Sequence, residues 1–154
     1  MKETALTKEM KMTVPWSDCD AAGISYFPRN FEWYTNSYLE WLKYYGFPYM
    51  ETFHRNGIAI VCLKADSEYK QMVKPMEEIT IYTTLSSLTK TRLQFTYYVF
   101  KENGELAAEG FTNHTFVNQN GKPINLQKKL PSVWESLYHT YDSGNGEKNR
   151  SETN

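Results

Sequence analysis

Hydrophobic and polar residues alternate along two stretches in the middle of the chain, residues 78–85 and 92–99. The positions predicted to face the core are Ile79, Ile81, Thr83, Leu85, Leu93, Phe95, Tyr97 and Val99. Because successive side chains of a strand point to opposite faces, this period of two predicts two strands, each with one buried face. Residues 57–70 and 105–118 are also rich in strand-forming residues, and Asn103-Gly104 predicts a type I′ hairpin.

A helical period begins after Pro28, a residue type favoured at the first position of a helix. Its apolar positions recur every three or four residues: Phe31, Tyr34, Tyr38, Trp41, Leu42 and Tyr45. Gly46 followed by Pro48 is a stop signal. The spacing predicts a helix about 27 Å long that needs an apolar partner surface. A short strand is predicted before it, over residues 11–16, with Pro15 indicating a sheet edge.

One strand, a long helix and four consecutive antiparallel strands indicate the α+β class, with the helix across the concave face of a curled sheet. The free edges of that sheet favour edge-to-edge dimerisation. A second, short helix is predicted from Pro131 to about Tyr141, burying Val133, Trp134, Leu137 and Tyr138. Residues 142–154 hold no apolar side chain and are predicted to be disordered, which leaves residues 1–141 as a single domain.

Net charge, cysteine content and the lack of long apolar runs disfavour several classes of function. A formal net charge of -1 gives no overall field that favours nucleic acid or a membrane surface. The two cysteines, Cys19 and Cys62, are too few for a disulfide framework and lie outside any metal-ligand spacing. The first residues lack the apolar segment of a signal peptide, and the chain has no apolar run of about 20 residues. We expect a cytoplasmic protein that binds neither nucleic acid nor membrane.

The stretch "WSDCDAAGISYFPRNFEW" (residues 16–33) carries the candidate chemistry. Acidic residues in a turn often only bond to their own backbone. Here, however, Asp18 and Asp20 precede a helix N-terminus, and small residues follow them. Unpaired N–H groups at a helix start suit a developing oxyanion, and a nearby carboxylate suits a general base or nucleophile. This combination favours acyl transfer.

The same stretch resembles the opening of hotdog-fold acyl-CoA thioesterases, in particular the 4-hydroxybenzoyl-CoA thioesterase branch. The resemblance covers residues 11–127 and is most specific in the first 40 residues. It implies a curled five-stranded antiparallel sheet wrapped around one long helix, and hydrolysis of an acyl-CoA thioester without a metal or other cofactor. It also implies a homodimer or homotetramer with pockets between subunits.

The resemblance also assigns residues. The catalytic carboxylate would be Asp20, Asp18 would fix the turn, and the backbone N–H of Phe27 would polarise the substrate carbonyl. The residues expected around the substrate are Gly23, Tyr26, Phe31, Tyr34, Thr35, Lys90 and Arg92. Lys90 and Arg92 would clamp the phosphates of coenzyme A, although a solvated hairpin tip explains them equally well; Lys64, Lys70 and Lys74 are weaker candidates.

The acyl group is less defined than the reaction. Thr35 stands where the hydroxybenzoyl branch presents an aspartate to the phenol hydroxyl of its substrate. Threonine brings no charge, so we expect either a hydroxybenzoyl-like aryl group, which could be hydroxylated differently, or a short aliphatic group.

Other functions are open at this point. A non-catalytic acyl-thioester binder would use the same fold, and a hydratase or dehydratase would pair an acid with a histidine, which is missing near the motif. A haloacid-dehalogenase reading of the two aspartates fails because Ala21-Ala22 replaces the Gly-Thr pair. Cys19 is disfavoured as a nucleophile because flanking carboxylates raise the pKa of a thiol. Glu32 and Glu40 are predicted to be exposed charges of the helix.

Overall fold

The computed structural model describes residues 6–151, and side chains are described for residues 6–146. Five antiparallel strands form one sheet: β1 (Thr7–Thr13), β2 (Ala59–Tyr69), β3 (Glu78–Leu88), β4 (Arg92–Lys101) and β5 (Leu106–Val117). Their order across the sheet is β1-β3-β4-β5-β2. The helices are α1 (Arg29–Tyr44), α2 (Tyr49–Thr52), α3 (Leu126–Lys129) and α4 (Pro131–Ser151). The predicted α+β fold, with a five-stranded sheet and one long helix, is confirmed.

The long helix α1 begins and ends where the sequence predicted. Pro28 is its N-cap, and Gly46 takes a left-handed φ of 94° that lets the chain leave the helix. One face of α1 is buried, and this face carries Trp33, Tyr34, Ser37, Tyr38, Trp41 and Leu42. The helix packs on β1, β2 and β3, so the sheet supplies the partner surface that the apolar stripe requires.

Strands β3 and β4 form the centre of the core. All eight positions predicted to face inward are buried, including the polar Thr83. The two strands pair directly, with Ile81 opposite Val99 and Leu85 opposite Phe95. The alternating pattern is therefore confirmed residue by residue.

The outer strands of the sheet are β1 and β2, as the prediction of an edge near Pro15 required for β1. Strand β2 pairs on one side with β5, and most of its side chains are exposed. Its exposed residues include the apolar Val61 and Leu63. An exposed edge strand presents unpaired backbone groups, which can pair with the edge of another chain.

The β4–β5 hairpin forms, but its predicted type I′ turn is wrong. That turn needs positive φ at both central residues, whereas Met76 is the one non-glycine residue with positive φ among the described residues. Instead, Gly104 takes φ 86° and donates its N–H to the carbonyl of Lys101 (2.9 Å). The side chain of Asn103 accepts from the N–H of Glu105 (3.0 Å), so asparagine stabilises the loop without entering the left-handed region.

The C-terminal helix α4 is longer than predicted. It continues to Ser151, so the predicted end near Tyr141 and the predicted disorder of residues 142–151 are wrong; residues 152–154 lie outside the described part of the chain. In this extended part, Gly144 packs so closely on Leu6 that an added Cβ would lie 2.2 Å from the leucine side chain. Tyr138 is exposed, against the prediction, and its ring stacks on Trp134.

Among the described residues, no helix is a candidate to span a membrane. Neither α1 nor α4 combines the length and apolar character that a bilayer-spanning helix needs.

Candidate active site

The segment from Val14 to Pro28, here called the acidic loop, joins β1 to α1. Its two ends are tied to the chain just before β3: Val14 N–H donates to the carbonyl of Glu77 (2.9 Å), and Ser25 N–H to that of Val73 (2.7 Å). Within the loop, residues 18–20 pair with residues 24–26, and Gly23 closes the turn with φ 76°. Glycine is required there because left-handed backbone strains other residues. The predicted loop is thus a small, ordered ribbon.

Asp18 connects this ribbon to α1. Its Oδ2 accepts a hydrogen bond from the indole Nε1 of the buried Trp33 (2.9 Å), and its Oδ1 lies 3.8 Å from Nε of Arg29. The side chain of Asp18 is only 14% exposed. A carboxylate held by a buried indole and a guanidinium fixes the loop against the helix. This geometry agrees with the structural role that the resemblance assigns to Asp18.

Asp20 is exposed to solvent. Its Oδ1 accepts from the N–H of Ala22 (2.9 Å), a bond that closes the turn. Its Oδ2 has no hydrogen-bond partner among the described residues. One oxygen therefore holds the side chain in place, while the other is available to take a proton or to attack a carbonyl carbon.

The backbone N–H of Phe27 lies directly before the first turn of α1. No acceptor for it is found among the described residues, as is usual for the first N–H groups of a helix. The side chains of Tyr26 and Phe27 are exposed, 45% and 61%, and their rings contact each other at 5.4 Å between centroids. The acidic loop thus carries a free carboxylate oxygen, a free backbone donor and an exposed aromatic surface.

Three other residues of α1 were predicted to contact the substrate; two of them line one surface cavity, and the third is buried. Phe31 and Thr35 line an open cavity of about 350 Å³ on the exposed face of α1, together with Glu32 and Asn36. Tyr34, by contrast, is fully buried: its ring stacks on Tyr97 at 4.3 Å. The predicted contact between Tyr34 and a substrate has no exposed surface to make it, because the side chain belongs to the core.

Lys90 and Arg92 flank the β3–β4 turn, and both are exposed. This turn lies at the opposite end of the sheet from the acidic loop. Strand β3 starts beside that loop and runs for 11 residues. At about 3.3 Å per residue, it separates the two groups by roughly 30 Å. The structure therefore does not bring Lys90 and Arg92 together with Asp20 of the same chain.

Cys19 lies between the two aspartates and is half-buried. Burial raises the pKa of its thiol, and the neighbouring Asp18 and Asp20 carboxylates raise it further. The thiolate is therefore disfavoured, as the sequence predicted.

Known proteins share both sequence and fold with this chain. The family model described as the thioesterase-like superfamily matches residues 14–138. The chain belongs to this superfamily. The match begins at the acidic loop and includes the whole of the long helix and the four strands that follow it. This membership confirms the predicted family and assigns the chain to the thioester hydrolases.

Individual relatives of this superfamily member cover most of its length. A putative esterase from Aquifex aeolicus (strain VF5) is 30% identical over 120 residues, which are 78% of this chain and 91% of the relative. A 1,4-dihydroxy-2-naphthoyl-CoA hydrolase from Crocosphaera subtropica (strain ATCC 51142 / BH68) is 32% identical over 108 residues, 69% and 79% of the two chains. The crystal structure of a DHNA-CoA thioesterase from Staphylococcus aureus superposes with a TM-score of 0.86 at 23% identity, covering 92% and 95% of the two chains.

Some contacts of the loop had no signal in the sequence. Arg29 and Tyr69 both touch the acidic loop, the former through Asp18 and the latter through the carbonyl of Phe27. Tyr69 is 42 residues from Phe27 in the chain, and only the packing of β2 beside the start of α1 brings them together.

Proposed function

We propose that this superfamily member hydrolyses an acyl-CoA thioester, with Asp20 as general base or nucleophile and the Phe27 N–H as the donor to the oxyanion. The proposal depends on one observation: the same loop carries an exposed carboxylate oxygen and a backbone N–H at a helix start, neither of which has a partner among residues 6–151. Both groups are needed where negative charge moves from a nucleophile to a carbonyl oxygen.

Either role of Asp20 gives a balanced reaction. As a base, its free oxygen takes a proton from water while the water oxygen bonds to the thioester carbon. The C–S bond then breaks, and the sulfur of coenzyme A takes the proton. As a nucleophile, Asp20 itself bonds to the carbonyl carbon, the C–S bond breaks, and coenzyme A leaves as a thiolate that takes a proton from water. Water then cleaves the resulting mixed anhydride, which releases the acid and restores the Asp20 carboxylate. In both cases the carbonyl oxygen carries negative charge that the Phe27 N–H stabilises.

A hydroxylated aryl group is the acyl group that we favour over a short aliphatic one. The open cavity on α1 offers the ring of Phe31 and the hydroxyl of Thr35, which already donates to the carbonyl of Phe31 (2.8 Å) and can still accept. The exposed rings of Tyr26 and Phe27 add flat apolar surface beside the proposed oxyanion donor. The name of the Crocosphaera relative, a 1,4-dihydroxy-2-naphthoyl-CoA hydrolase, supports the same chemistry.

The phosphates of coenzyme A would be held by Lys90 and Arg92 of a second subunit. The separation of roughly 30 Å along β3 argues against a clamp within one chain. Pairing of two copies through the exposed edge of β2 would also cover Val61 and Leu63. We therefore propose a homodimer, or a homotetramer built from such dimers, with the substrate between subunits.

A panel of acyl-CoA substrates tests the proposal. Purified protein is given benzoyl-, hydroxybenzoyl-, dihydroxynaphthoyl-, phenylacetyl- and short-chain acyl-CoA, and released coenzyme A is trapped with a thiol reagent. We expect turnover to be highest with a hydroxylated aryl thioester. Binding of these thioesters without release of coenzyme A would support a non-catalytic binder, and highest turnover with short aliphatic thioesters would contradict the proposed acyl group.

A further inference from the structure

The direction of the Phe27 N–H is set by the first turn of α1. The carbonyl of Tyr26 accepts a hydrogen bond from the N–H of Arg29 (2.9 Å), so it points into the helix start. The peptide bonds of the described residues are all trans, and a trans peptide is planar with its N–H opposite its C=O. The N–H of Phe27 therefore points away from the helix, towards the surface of the acidic loop.

The peptide group that carries this N–H lies between two others that are each anchored from outside the helix. On its N-terminal side, the N–H of Tyr26 donates to the carbonyl of Asp18 (2.7 Å). On its C-terminal side, the carbonyl of Phe27 accepts from the phenol hydroxyl of Tyr69. Because Pro28 has no N–H, the carbonyl is the one polar group by which this second peptide can be held.

Tyr69 is the last residue of β2, and its side chain reaches the start of α1 across the surface. It is 46% exposed, so no core packing forces it into this position. Its ring also meets the ring of Phe27 edge to face, with centroids 6.4 Å apart and planes at 87°. The N–H of Asn30 approaches the same carbonyl at a longer distance, 3.4 Å. The hydroxyl of Tyr69 is thus the principal partner of the Phe27 carbonyl.

We propose that Tyr69 is a positioning residue for the oxyanion donor: by holding the carbonyl of Phe27, it keeps the Phe27 N–H in the direction that the first turn of α1 gives it. The inference rests on the proposed function, since it gives the N–H of Phe27 the role stated there. A donor fixed at the place where the oxyanion forms stabilises the transition state more than the bound thioester. Loss of the Tyr69 hydroxyl should therefore lower kcat and leave KM nearly unchanged.

The test is the Tyr69→Phe variant, which removes the hydroxyl and keeps the ring. With the best thioester of the panel, we expect kcat to fall about 3- to 10-fold, the usual effect of one hydrogen bond, with KM within about twofold of wild type. The pH dependence of kcat should stay the same, because Asp20 is untouched. Tyr44→Phe is the matched control: Tyr44 is exposed, lies at the other end of α1, and should keep wild-type kcat.

Hydrogen exchange gives a second readout that needs no turnover. The hydrogen-bonded amides of Tyr26, Arg29 and Asn30 should exchange faster in Tyr69→Phe than in wild type or Tyr44→Phe, and unchanged exchange would overturn the anchoring. An active wild type with unchanged kcat in Tyr69→Phe, or with a change only in KM, would overturn this inference alone. A wild type that hydrolyses no thioester would instead overturn the proposed function, and with it the catalytic role of Tyr69.

Discussion

Asp18 and Asp20 are two residues apart in the acidic loop, and their surroundings are opposite. Asp18 is 14% exposed and receives the indole N–H of Trp33, with Arg29 beside it. Asp20 is exposed, and within the described part of the chain its side chain bonds only to its own turn, through the N–H of Ala22. The comparison teaches that the spacing of two acids does not assign their roles. Their partners distinguish them: Asp18 is bonded to α1, whereas Asp20 has one oxygen that meets no partner among the described residues.

The difference arises from the shape of the loop. The turn closed by Gly23 sends the chain back so that residues 24–26 pair with residues 18–20. This places Asp18 next to the start of α1, within reach of Trp33 in its second turn. Asp20 lies at the turn itself, where its side chain accepts from the N–H of Ala22. A loop of the same composition without this reversal would not separate the two carboxylates.

The largest change in stability that we predict within this pair comes from Asp18→Ala. It leaves the buried indole N–H of Trp33 unpaired, which should lower the free energy of unfolding by about 1–3 kcal/mol. Asp20→Ala removes one exposed turn bond and should cost about 0.5 kcal/mol. Urea unfolding of both variants measures the difference. Equal losses of unfolding free energy would contradict the predicted difference between the two acids, because they would mean that Asp20 also stabilises the fold.

Lowering the pH tests the stability of the core beneath α1, which contains the buried His114. His114 lies against the rings of Tyr38 and Phe95, and burial lowers its pKa from 6.5 to about 4. Between these values the unfolded chain binds a proton that the folded chain does not. The free energy of unfolding should therefore fall as the pH drops through this range, by up to about 1.4 kcal/mol per pH unit.

A His114→Gln variant provides the control for this titration. Glutamine does not titrate, so urea unfolding of the variant between pH 6.5 and about 4 should show a shallower loss than wild type. Identical slopes in the two proteins would contradict the assignment to His114.

The smallest effect is expected for Glu32→Gln. Nη1 of Arg29 bonds both carboxylate oxygens of Glu32 at 3.0 Å, but the glutamate side chain is 63% exposed. Exposed ion pairs contribute little, so the variant should lose at most about 0.5 kcal/mol of unfolding free energy. A loss as large as that of Asp18→Ala would show that Glu32 is needed to hold Arg29 beside Asp18.

Local signals explain why much of the fold could be predicted from sequence. The start of α1 at Pro28, its end before Gly46 and the inward positions of β3 and β4 depend on backbone preferences and on one buried face, both readable within a short window. The acidic loop was found for the same reason, since its aspartates, small residues and proline are contiguous.

The features that sequence missed depend on contacts between distant segments. The extended part of α4 packs through Gly144 on Leu6, and the buried Tyr34 stacks on Tyr97. The hairpin of Lys90 and Arg92 was located correctly, but its distance from Asp20 follows from the strand order, which no local pattern gives. Tyr69 was missed because its bond to Phe27 spans 42 residues.

The turnover of Asp20→Asn tests the central claim most directly. The asparagine amide oxygen can keep the bond to the Ala22 N–H, so the loop should stay folded while the proton acceptor is lost. Glu40→Gln, an exposed carboxylate change on α1, is the matched control. With the best thioester of the panel, we predict that kcat falls at least about 100-fold in Asp20→Asn and stays at the wild-type value in Glu40→Gln. Full turnover by a folded Asp20→Asn protein would contradict the account.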